Sequence, residues 1–274
     1  MSPSPPSRLP HHRADGPADA PLLVLGPSLG TSTAIWDAYL PALAADHRVL
    51  RFDLPGHGGS PAELLGDPEP GSTTVEDLAS LVLDLVDFHG RDRFHYAGIS
   101  LGGAIGAQLA VRCPERIASL VLLCTSARFG EPQPWRERAE SVRLKGMGPL
   151  LAASPGRWFA DPGTAGTPVG RALLQNLADT DPAGYAACCD ALAAYDLRAD
   201  LRRIKAPTLV IGGTQDVATP LHHARELAGG IPGATLTTVG CGHLALEEPR
   251  KVELALHPFL AATRVPHTSS QNRT

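Results

Sequence analysis

Residues 94–109 read FHYAGISLGGAIGAQL, and this stretch decides the fold. Residues 94–99 form a short apolar and aromatic run, which predicts a buried strand. Residues 102–111 are rich in small side chains and predict the helix that follows. Between them, Gly98-Ile99-Ser100-Leu101-Gly102 places a serine on a sharp strand-to-helix turn, where glycines allow a backbone approach that a Cβ would block. Ser100 is therefore predicted to project from the carboxyl edge of a sheet as a nucleophile.

Apolar runs of strand length alternate with helical patterns along most of the chain, which predicts a mainly parallel central sheet flanked by helices, an α/β fold. The predicted strands are 21–25, 47–53, 94–99, 117–124, 208–211 and 235–239. A short helical stretch is predicted within 36–44, and a helix is predicted after a capping box formed by Thr73 and Glu76. A last amphipathic helix is predicted over 250–262.

Strand patterns stop between residues 127 and 205, where at least three helical patterns follow one another. We therefore predict one domain whose core spans 9–126 and 206–262, with 127–205 as an inserted helical cap. The polar ends, 1–8 and 263–274, are predicted to be disordered tails.

The composition excludes several classes of protein. With 43% hydrophobic and 19% charged residues, the 274-residue chain can bury a sizeable core. Its net charge of −4 offers no basic surface, so we expect neither nucleic acid nor a membrane as a partner. No apolar run is long enough to span a bilayer and no signal peptide is recognised, which favours the cytoplasm. The oligomeric state is not predicted.

Cysteines and histidines give no pattern of metal ligands. The five cysteines lack C-x-x-C spacing, and we expect packed thiols rather than disulfides or a metal site. Cys241 is included in that expectation, and His57 is interpreted as part of a structural loop. The pairs His11-His12 and His222-His223 are interpreted as solvated. No nucleotide-binding motif follows a predicted strand, so no cofactor is expected.

A serine nucleophile needs a base to take its proton, and the base needs a carboxylate to orient it. Asp216 comes shortly after the predicted strand 208–211, and His243 comes shortly after the predicted strand 235–239. Parallel sheets place functional residues at the carboxyl ends of their strands. The three residues Ser100, Asp216 and His243 are therefore predicted to form a catalytic triad.

These motifs resemble the α/β-hydrolase superfamily, in which the triad follows the chain order Ser, Asp, His. The resemblance covers residues 9–262. Three segments, LGPSLGTSTAIWD, PWRERAESVRLKGMGPLLAASPGRWFA and DPAGYAACCDALAAYDLR, look like those of 3-oxoadipate enol-lactonases of the β-ketoadipate pathway. The chain departs from that family at Pro27, where an asparagine commonly precedes Ser28. It also departs where a first edge strand usually comes before Leu9.

A tetrahedral intermediate also needs hydrogen-bond donors for its oxyanion. The amide after the nucleophile belongs to Leu101. The resemblance implies Leu29 as the second donor, in a loop where Pro27 and Ser28 replace the usual His-Gly pair. Leu29 and Leu101 are therefore the predicted oxyanion hole.

The resemblance implies an enol-lactone substrate with a free carboxylate, opened through an acyl-enzyme. A cation in the cap is then expected, and residues 128–145 contain Arg128, Arg136, Arg138, Arg143 and Lys145. On a helix beginning near Trp135, Arg138 shares a face with Trp135, and these two are the predicted substrate contacts. Arg128 and Arg143 are the next candidates.

Two other functions stay open. A carboxylesterase or perhydrolase-like enzyme with another acyl substrate would use the same triad. A small-molecule receptor on the same fold would keep the triad without turnover.

Overall fold

A seven-stranded sheet forms the centre of the protein in the computed structural model, which describes residues 9–66 and 69–263. The strands are β1 His12–Asp15, β2 Leu22–Gly26, β3 Arg48–Phe52, β4 Phe94–Ile99, β5 Ile117–Leu123, β6 Thr208–Gly213 and β7 Thr235–Val239. Their order in the sheet is β1-β3-β2-β4-β5-β6-β7. Only β1 runs antiparallel to its neighbour, and every other pairing is parallel. The predicted α/β architecture is confirmed.

The register of the sheet brings the ends of its central strands together. Gly26 at the end of β2 pairs with Gly98 on β4, and Gly213 at the end of β6 pairs with Val239 at the end of β7. All residues of β2, β4 and β5 are buried, as expected for strands covered on both faces. The loops that follow these strands therefore meet at one edge of the sheet.

The α-helices of the described residues cover the sheet and form the segment between β5 and β6. They are α1 Leu40–Leu43, α2 Val75–Phe88, α3 Leu101–Arg112, α4 Pro132–Lys145, α5 Gly148–Trp158, α6 Pro168–Ala178, α7 Pro182–Ala194, α8 Leu221–Gly230 and α9 Pro249–Ala262. Helix α3 packs against β2, β4 and β5. Gly106 permits this close packing, because a Cβ there would lie 2.5 Å from the Tyr96 ring.

Four helices, α4 to α7, lie between β5 and β6, and no strand interrupts them. We call residues 127–205 the cap. Helix α7 is the part of the cap that contacts the loop after β3: the Asp181 amide donates to the Gly56 carbonyl at 2.8 Å. A Cβ on Gly184 would lie 2.3 Å from the Pro55 carbonyl oxygen. The cap is therefore held close to the core at this point.

The edge strand β1 was not predicted from the sequence. Its four residues, HRAD, have no apolar alternation, and none is fully buried. The strand forms because it pairs with β3, with Asp15 opposite Val49. An ion pair between Arg51 and Asp15 at 2.8 Å adds to the pairing. Both are tertiary contacts with β3, 33 or more residues away in the chain, so local sequence patterns do not reveal them.

The predicted capping box of α2 was wrong by one residue. Thr74, not Thr73, caps the helix: its side chain accepts from the Asp77 amide at 3.2 Å, and the Asp77 carboxylate accepts from the Thr74 amide at 2.8 Å. Both threonines have an acidic residue three positions later, so the sequence motif fits either. Thr73 is buried in the fold, which leaves Thr74 at the end of the helix.

The tails predicted for 1–8 and, apart from Thr263, for 263–274 lie outside the described residues.

The predicted short helix within 36–44 is two separate turns, a 3-10 helix Thr33–Trp36 and α1. Pro41 is the second residue of α1, where proline fits the first helical turn.

Two buried histidines make the fold sensitive to acid. Burial lowers the pKa of His57 and that of His95 to about 4, from the ordinary 6.5. In the unfolded chain both rings take up a proton near pH 6.5, whereas in the folded protein they do so only near pH 4. Between these values the unfolded state binds more protons, so acid favours unfolding.

We expect the free energy of unfolding to fall as the pH decreases from 6.5 to 4. The pKa difference corresponds to about 3 kcal/mol for each histidine. Urea denaturation at pH 7.5, 5.5 and 4.5 measures this loss. His95→Gln should reduce the slope, because it removes one of the two groups. Equal stability at pH 7.5 and 4.5 would contradict the prediction.

Candidate active site

Ser100 lies at the turn between β4 and α3 with unusual backbone angles, φ 56° and ψ −118°. Such a conformation is strained for a residue with a Cβ and is common at functional sites. Two glycines make the turn possible: a Cβ on Gly98 would meet the Gly102 carbonyl at 2.3 Å, and one on Gly102 would meet the Gly26 carbonyl oxygen at the same distance. The Ser100 amide donates to the Leu123 carbonyl at 3.0 Å, which fixes the turn on β5.

His243 and Asp216 form a buried pair at the same edge of the sheet. The His243 Nδ1 atom lies 2.9 Å from Asp216 Oδ2, and the side chains are 7% and 0% exposed. Asp216 is held in turn by the Ala218 and Thr219 amides, which donate to Oδ1 at 2.8 and 2.9 Å. Because the carboxylate accepts from Nδ1, the remaining ring nitrogen of His243, Nε2, is the one that can receive a proton.

The carboxyl of Asp216 is ionised at any neutral pH. Burial raises its pKa, but hydrogen bonds and charge from His243, together with hydrogen bonds from Thr219, lower it more, to about 2. The Thr219 hydroxyl donates to Oδ2 at 2.6 Å. A permanent negative charge therefore faces the His243 ring and stabilises its protonated form.

One cavity opens onto Ser100 and His243. Its lining residues come from the core loops and from the cap, and include Ser28, Leu29, Ser100, Phe129, Trp135, Arg138, Leu150, Arg157, Trp158, Tyr185, Leu192, Thr219 and His243. Of the predicted site residues, Ser100, His243, Leu29, Trp135 and Arg138 meet in this cavity. Asp216 lies behind His243, and Leu101 is buried beside Ser100 without lining the cavity.

The loop that contains Leu29 is closed on itself and on the serine turn. The Thr31 amide donates to the Ser28 carbonyl at 3.1 Å, and the Gly102 amide donates to the Pro27 carbonyl at 3.0 Å. Leu101 is the first residue of α3, where backbone amides have no acceptor within the helix. The Leu29 loop and the start of α3 are thus tied together beside Ser100.

Two arginines of the cap face the cavity. The Arg138 guanidinium lies 4.7 Å from the centre of the Trp135 ring, and its charge counteracts the rise in the Tyr185 pKa that burial causes. Arg157 on α5 was not singled out from the sequence, where nothing distinguishes it from other cap arginines. Burial lowers the Arg157 pKa, and the charge of Arg138 lowers it further. Two cations therefore share one cavity.

The alternative cap cations are engaged elsewhere. Arg128 forms an ion pair with Glu131 at 2.9 Å, and Arg143 forms one with the buried Asp190. Within residues 9–66 and 69–263, no ion pair is formed by Arg138 or Arg157. The cavity therefore presents positive charge without a protein counter-ion.

The other histidines of residues 9–66 and 69–263 and the five cysteines do not line the cavity. His11 is exposed, as predicted, and its Nδ1 also lies 2.7 Å from Asp53 Oδ2. His223 also has a partner, with its Nδ1 2.7 Å from Ser126 Oγ. Cys241 is fully buried, as predicted. In the part of the chain that the structure describes, no three histidine, cysteine or acidic side chains come together as metal ligands.

A mostly parallel sheet with a serine at a strained strand-to-helix turn, and a histidine–carboxylate pair at the same edge, defines a class of protein, the α/β hydrolases. The model of the alpha/beta hydrolase fold family matches residues 21–249, and the chain belongs to this family. It is a hydrolase. None of the helices in the described ranges is long and apolar enough to cross a membrane.

Similar proteins act on more than one kind of substrate. 3-oxoadipate enol-lactonase 2 of Acinetobacter baylyi is 33% identical, over 89% of this chain and 90% of the relative. RutD of Pseudomonas savastanoi pv. phaseolicola is provisionally named a carbamate hydrolase. It is 34% identical, over 89% of this chain and 95% of the relative. The crystal structure of the enol-lactonase from Burkholderia xenovorans superposes with a TM-score of 0.86 at 37% identity, covering 92% of this chain and 96% of that one.

Proposed function

We propose that this chain is a serine hydrolase that opens a carboxylate-bearing enol-lactone, 3-oxoadipate enol-lactone, to 3-oxoadipate in the catabolism of aromatic compounds. The observation that carries the proposal is the pair Arg138 and Arg157 in the cavity of Ser100 and His243. Neither guanidinium has an ion-pair partner among the described residues, so both can pair with a carboxylate if a ligand supplies one. A substrate with a free carboxylate does so, and the identities to enol-lactonases support the same substrate.

The chemistry follows from the positions of the side chains. Ser100 Oγ attacks the lactone carbonyl while His243 Nε2 takes the hydroxyl proton, and Asp216 stabilises the imidazolium. The oxyanion accepts hydrogen bonds from the Leu29 and Leu101 amides. The ring C–O bond then breaks, and the enolate oxygen leaves with the proton from His243. The enol becomes the ketone of the product.

The acyl-enzyme is released by water. His243 takes a proton from a water molecule, whose oxygen attacks the ester carbonyl of acyl-Ser100. The Ser100–acyl bond breaks, the proton returns to Ser100 Oγ, and 3-oxoadipate is free. No step needs a metal or a cofactor.

Three other functions compete with the enol-lactonase. Carbamate hydrolysis is favoured by the 34% identity to RutD, which is close to the 33% identity to the enol-lactonase of Acinetobacter baylyi. A carboxylesterase or perhydrolase-like enzyme would use the same triad on another acyl group. A receptor would bind ligand without turnover.

The decisive assay compares three substrates at equal concentration: the enol-lactone, a carbamate and a neutral short-chain nitrophenyl ester. Turnover of the enol-lactone is followed by the loss of its ultraviolet absorbance. We expect the enol-lactone to give the highest kcat/KM. Preference for the neutral ester would replace the proposal by the esterase, and preference for the carbamate would favour the RutD activity. Ligand binding with no turnover of any of the three would favour the receptor.

Arg138→Ala should raise KM for the enol-lactone while leaving hydrolysis of the neutral ester nearly unchanged. The loss of a charge-assisted hydrogen bond costs about 1.5 to 3 kcal/mol, or a roughly 10- to 150-fold higher KM. Of the two substrates only the lactone has a carboxylate that can pair with Arg138, so only its binding should weaken. Steady-state kinetics with both substrates measure the contrast.

Arg136→Ala is the matched control, because Arg136 is exposed on the same helix and does not line the cavity. It should change neither KM. If Arg138→Ala leaves both substrates unaffected, Arg157 becomes the carboxylate partner, and Arg157→Ala tests that role. An equal loss on both substrates would instead indicate a misfolded cap.

A further inference from the structure

We propose that His57 is a positioning residue that holds the oxyanion loop, residues 28–31, in the shape the reaction needs. His57 lies in the loop after β3, and its Nε2 atom accepts a hydrogen bond from the Gly30 amide at 3.0 Å. Gly30 directly follows Leu29, whose amide is assigned to the oxyanion above. The inference rests on the proposed serine chemistry and adds a residue that does not touch the substrate.

The backbone fixes which ring nitrogen of His57 carries the proton. Nδ1 lies 2.9 Å from the Pro55 carbonyl oxygen, which can only accept, so Nδ1 carries the hydrogen and donates. Nε2 is then an acceptor, as the Gly30 amide requires. Burial keeps the ring neutral by lowering the His57 pKa to about 4. The ring thus makes one donor and one acceptor contact with two separate loops.

The oxyanion loop has little freedom to find another partner. Gly30 has a φ of 81°, which glycine adopts without strain, and a Cβ there would lie 2.7 Å from Leu177 of the cap. The Thr31 hydroxyl donates to the Ser28 carbonyl at 2.8 Å and closes the turn. With both ends of the turn fixed, the contact from Gly30 to His57 fixes the Leu29–Gly30 peptide, which adjoins the Ser28–Leu29 peptide that carries the Leu29 N–H.

His57 also connects the oxyanion loop to the part of the cap that carries the cation. Its ring is stacked on Tyr185 of α7, with centres 6.0 Å apart and planes inclined by 22°. Tyr185 and Arg138 line the same cavity. A set of contacts therefore runs from Tyr185 through His57 to Gly30. Loss of the His57 ring removes the link at its core end.

Removal of the His57 side chain should weaken binding of the transition state more than binding of the substrate. An oxyanion donor acts where charge develops, so its displacement lowers kcat rather than raising KM. We expect His57→Ala to lower kcat about tenfold or more on the enol-lactone and on the neutral ester, with KM within about threefold. His57→Gln, whose side-chain carbonyl can accept from Gly30, should retain more activity.

Two measurements separate this role from a general loss of structure. A boronic acid, which forms a tetrahedral adduct with a serine, should bind His57→Ala more weakly by the factor that kcat loses. Hydrogen–deuterium exchange should be faster in residues 28–31 of His57→Ala than in the wild type. His95→Gln is the matched control, because His95 is another buried neutral histidine, bonded to Ser119 and remote from the cavity.

The proposal is overturned if His57→Ala changes neither exchange nor kcat, if its loss lies in KM alone, or if His95→Gln reproduces the same kinetic pattern. If His57→Ala does not fold, His57→Phe decides, because its ring fills the space of the imidazole but cannot accept from the Gly30 amide: activity and exchange equal to those of the wild type would also overturn the proposal. A wild type that turns over no ester contradicts the proposed function instead. The exchange measurement still reports the contact between His57 and Gly30 in that case.

Discussion

Ser100→Ala is expected to abolish turnover, with a loss of about a millionfold, the effect of removing the triad serine from a serine protease. Without Oγ there is no atom to form the acyl-enzyme, and His243 and the oxyanion donors cannot replace it. Steady-state assays with the enol-lactone and the nitrophenyl ester measure the loss. A fluorophosphonate should add to the wild type at Ser100 alone, as seen by peptide mass spectrometry.

The fold should survive this change. Alanine has the same backbone preferences as serine at the φ of 56°, so the strain at position 100 is unaltered. Ser100→Gly gives a second inactive variant, and it should be at least as stable as Ser100→Ala because glycine adopts this conformation freely. Circular dichroism and thermal unfolding provide the comparison. Labelling at another residue, or turnover by both variants, would show that Ser100 is not the nucleophile.

Asp216→Asn is expected to lower kcat by about 10⁴-fold with little change in KM, as in the serine-protease precedent. The amide of asparagine can direct its NH2 group at His243 Nδ1. The ring would then adopt the tautomer that carries its proton on Nε2. In that tautomer Nε2 cannot accept the proton of Ser100. Asparagine has nearly the same volume as aspartate, so the pocket should keep its shape and substrate should still bind. Pre-steady-state and steady-state kinetics separate the two effects.

Two cap carboxylates serve as controls for Asp216. Asp190 accepts from Arg143 and from the Gly71 amide, and Asp196 accepts from Nε and Nη2 of Arg198. Neither is bonded to His243, so Asp190→Asn and Asp196→Asn should keep kcat near that of the wild type. A loss below tenfold in Asp216→Asn, with a large loss in either control, would transfer the orienting role to the cap.

Local sequence patterns were sufficient to predict six of the seven strands and the candidate site residues at their carboxyl ends. The apolar run 94–99 and the strand 235–239 have the predicted bounds in the structure. Glycine spacing around Ser100 predicted the turn, because only glycine permits the backbone contacts found there. Chain order and strand ends predicted Asp216 and His243, which the structure places in hydrogen-bond contact.

Features that depend on contacts between distant segments were not predicted. The strand β1 has no apolar pattern and exists through its pairing with β3. The predicted capping box of α2 was wrong by one residue because the burial of Thr73 depends on tertiary contacts. His57 was interpreted as structural, but its bond to Gly30 joins residues 27 positions apart.

The sequence by itself determined the fold class, the nucleophile turn and the candidate triad, since strand periodicity, glycine placement and strand ends are local properties. The helix face that it shares with Trp135 predicted Arg138 as the cap cation of the site, but only the tertiary structure brought Arg157 into the same cavity. Arg128 and Arg143, the next candidates from the sequence, have carboxylate partners and do not line the cavity. The physical reason is that a charge acquires its role from what lies within a few ångströms, and folding brings those neighbours from remote parts of the chain.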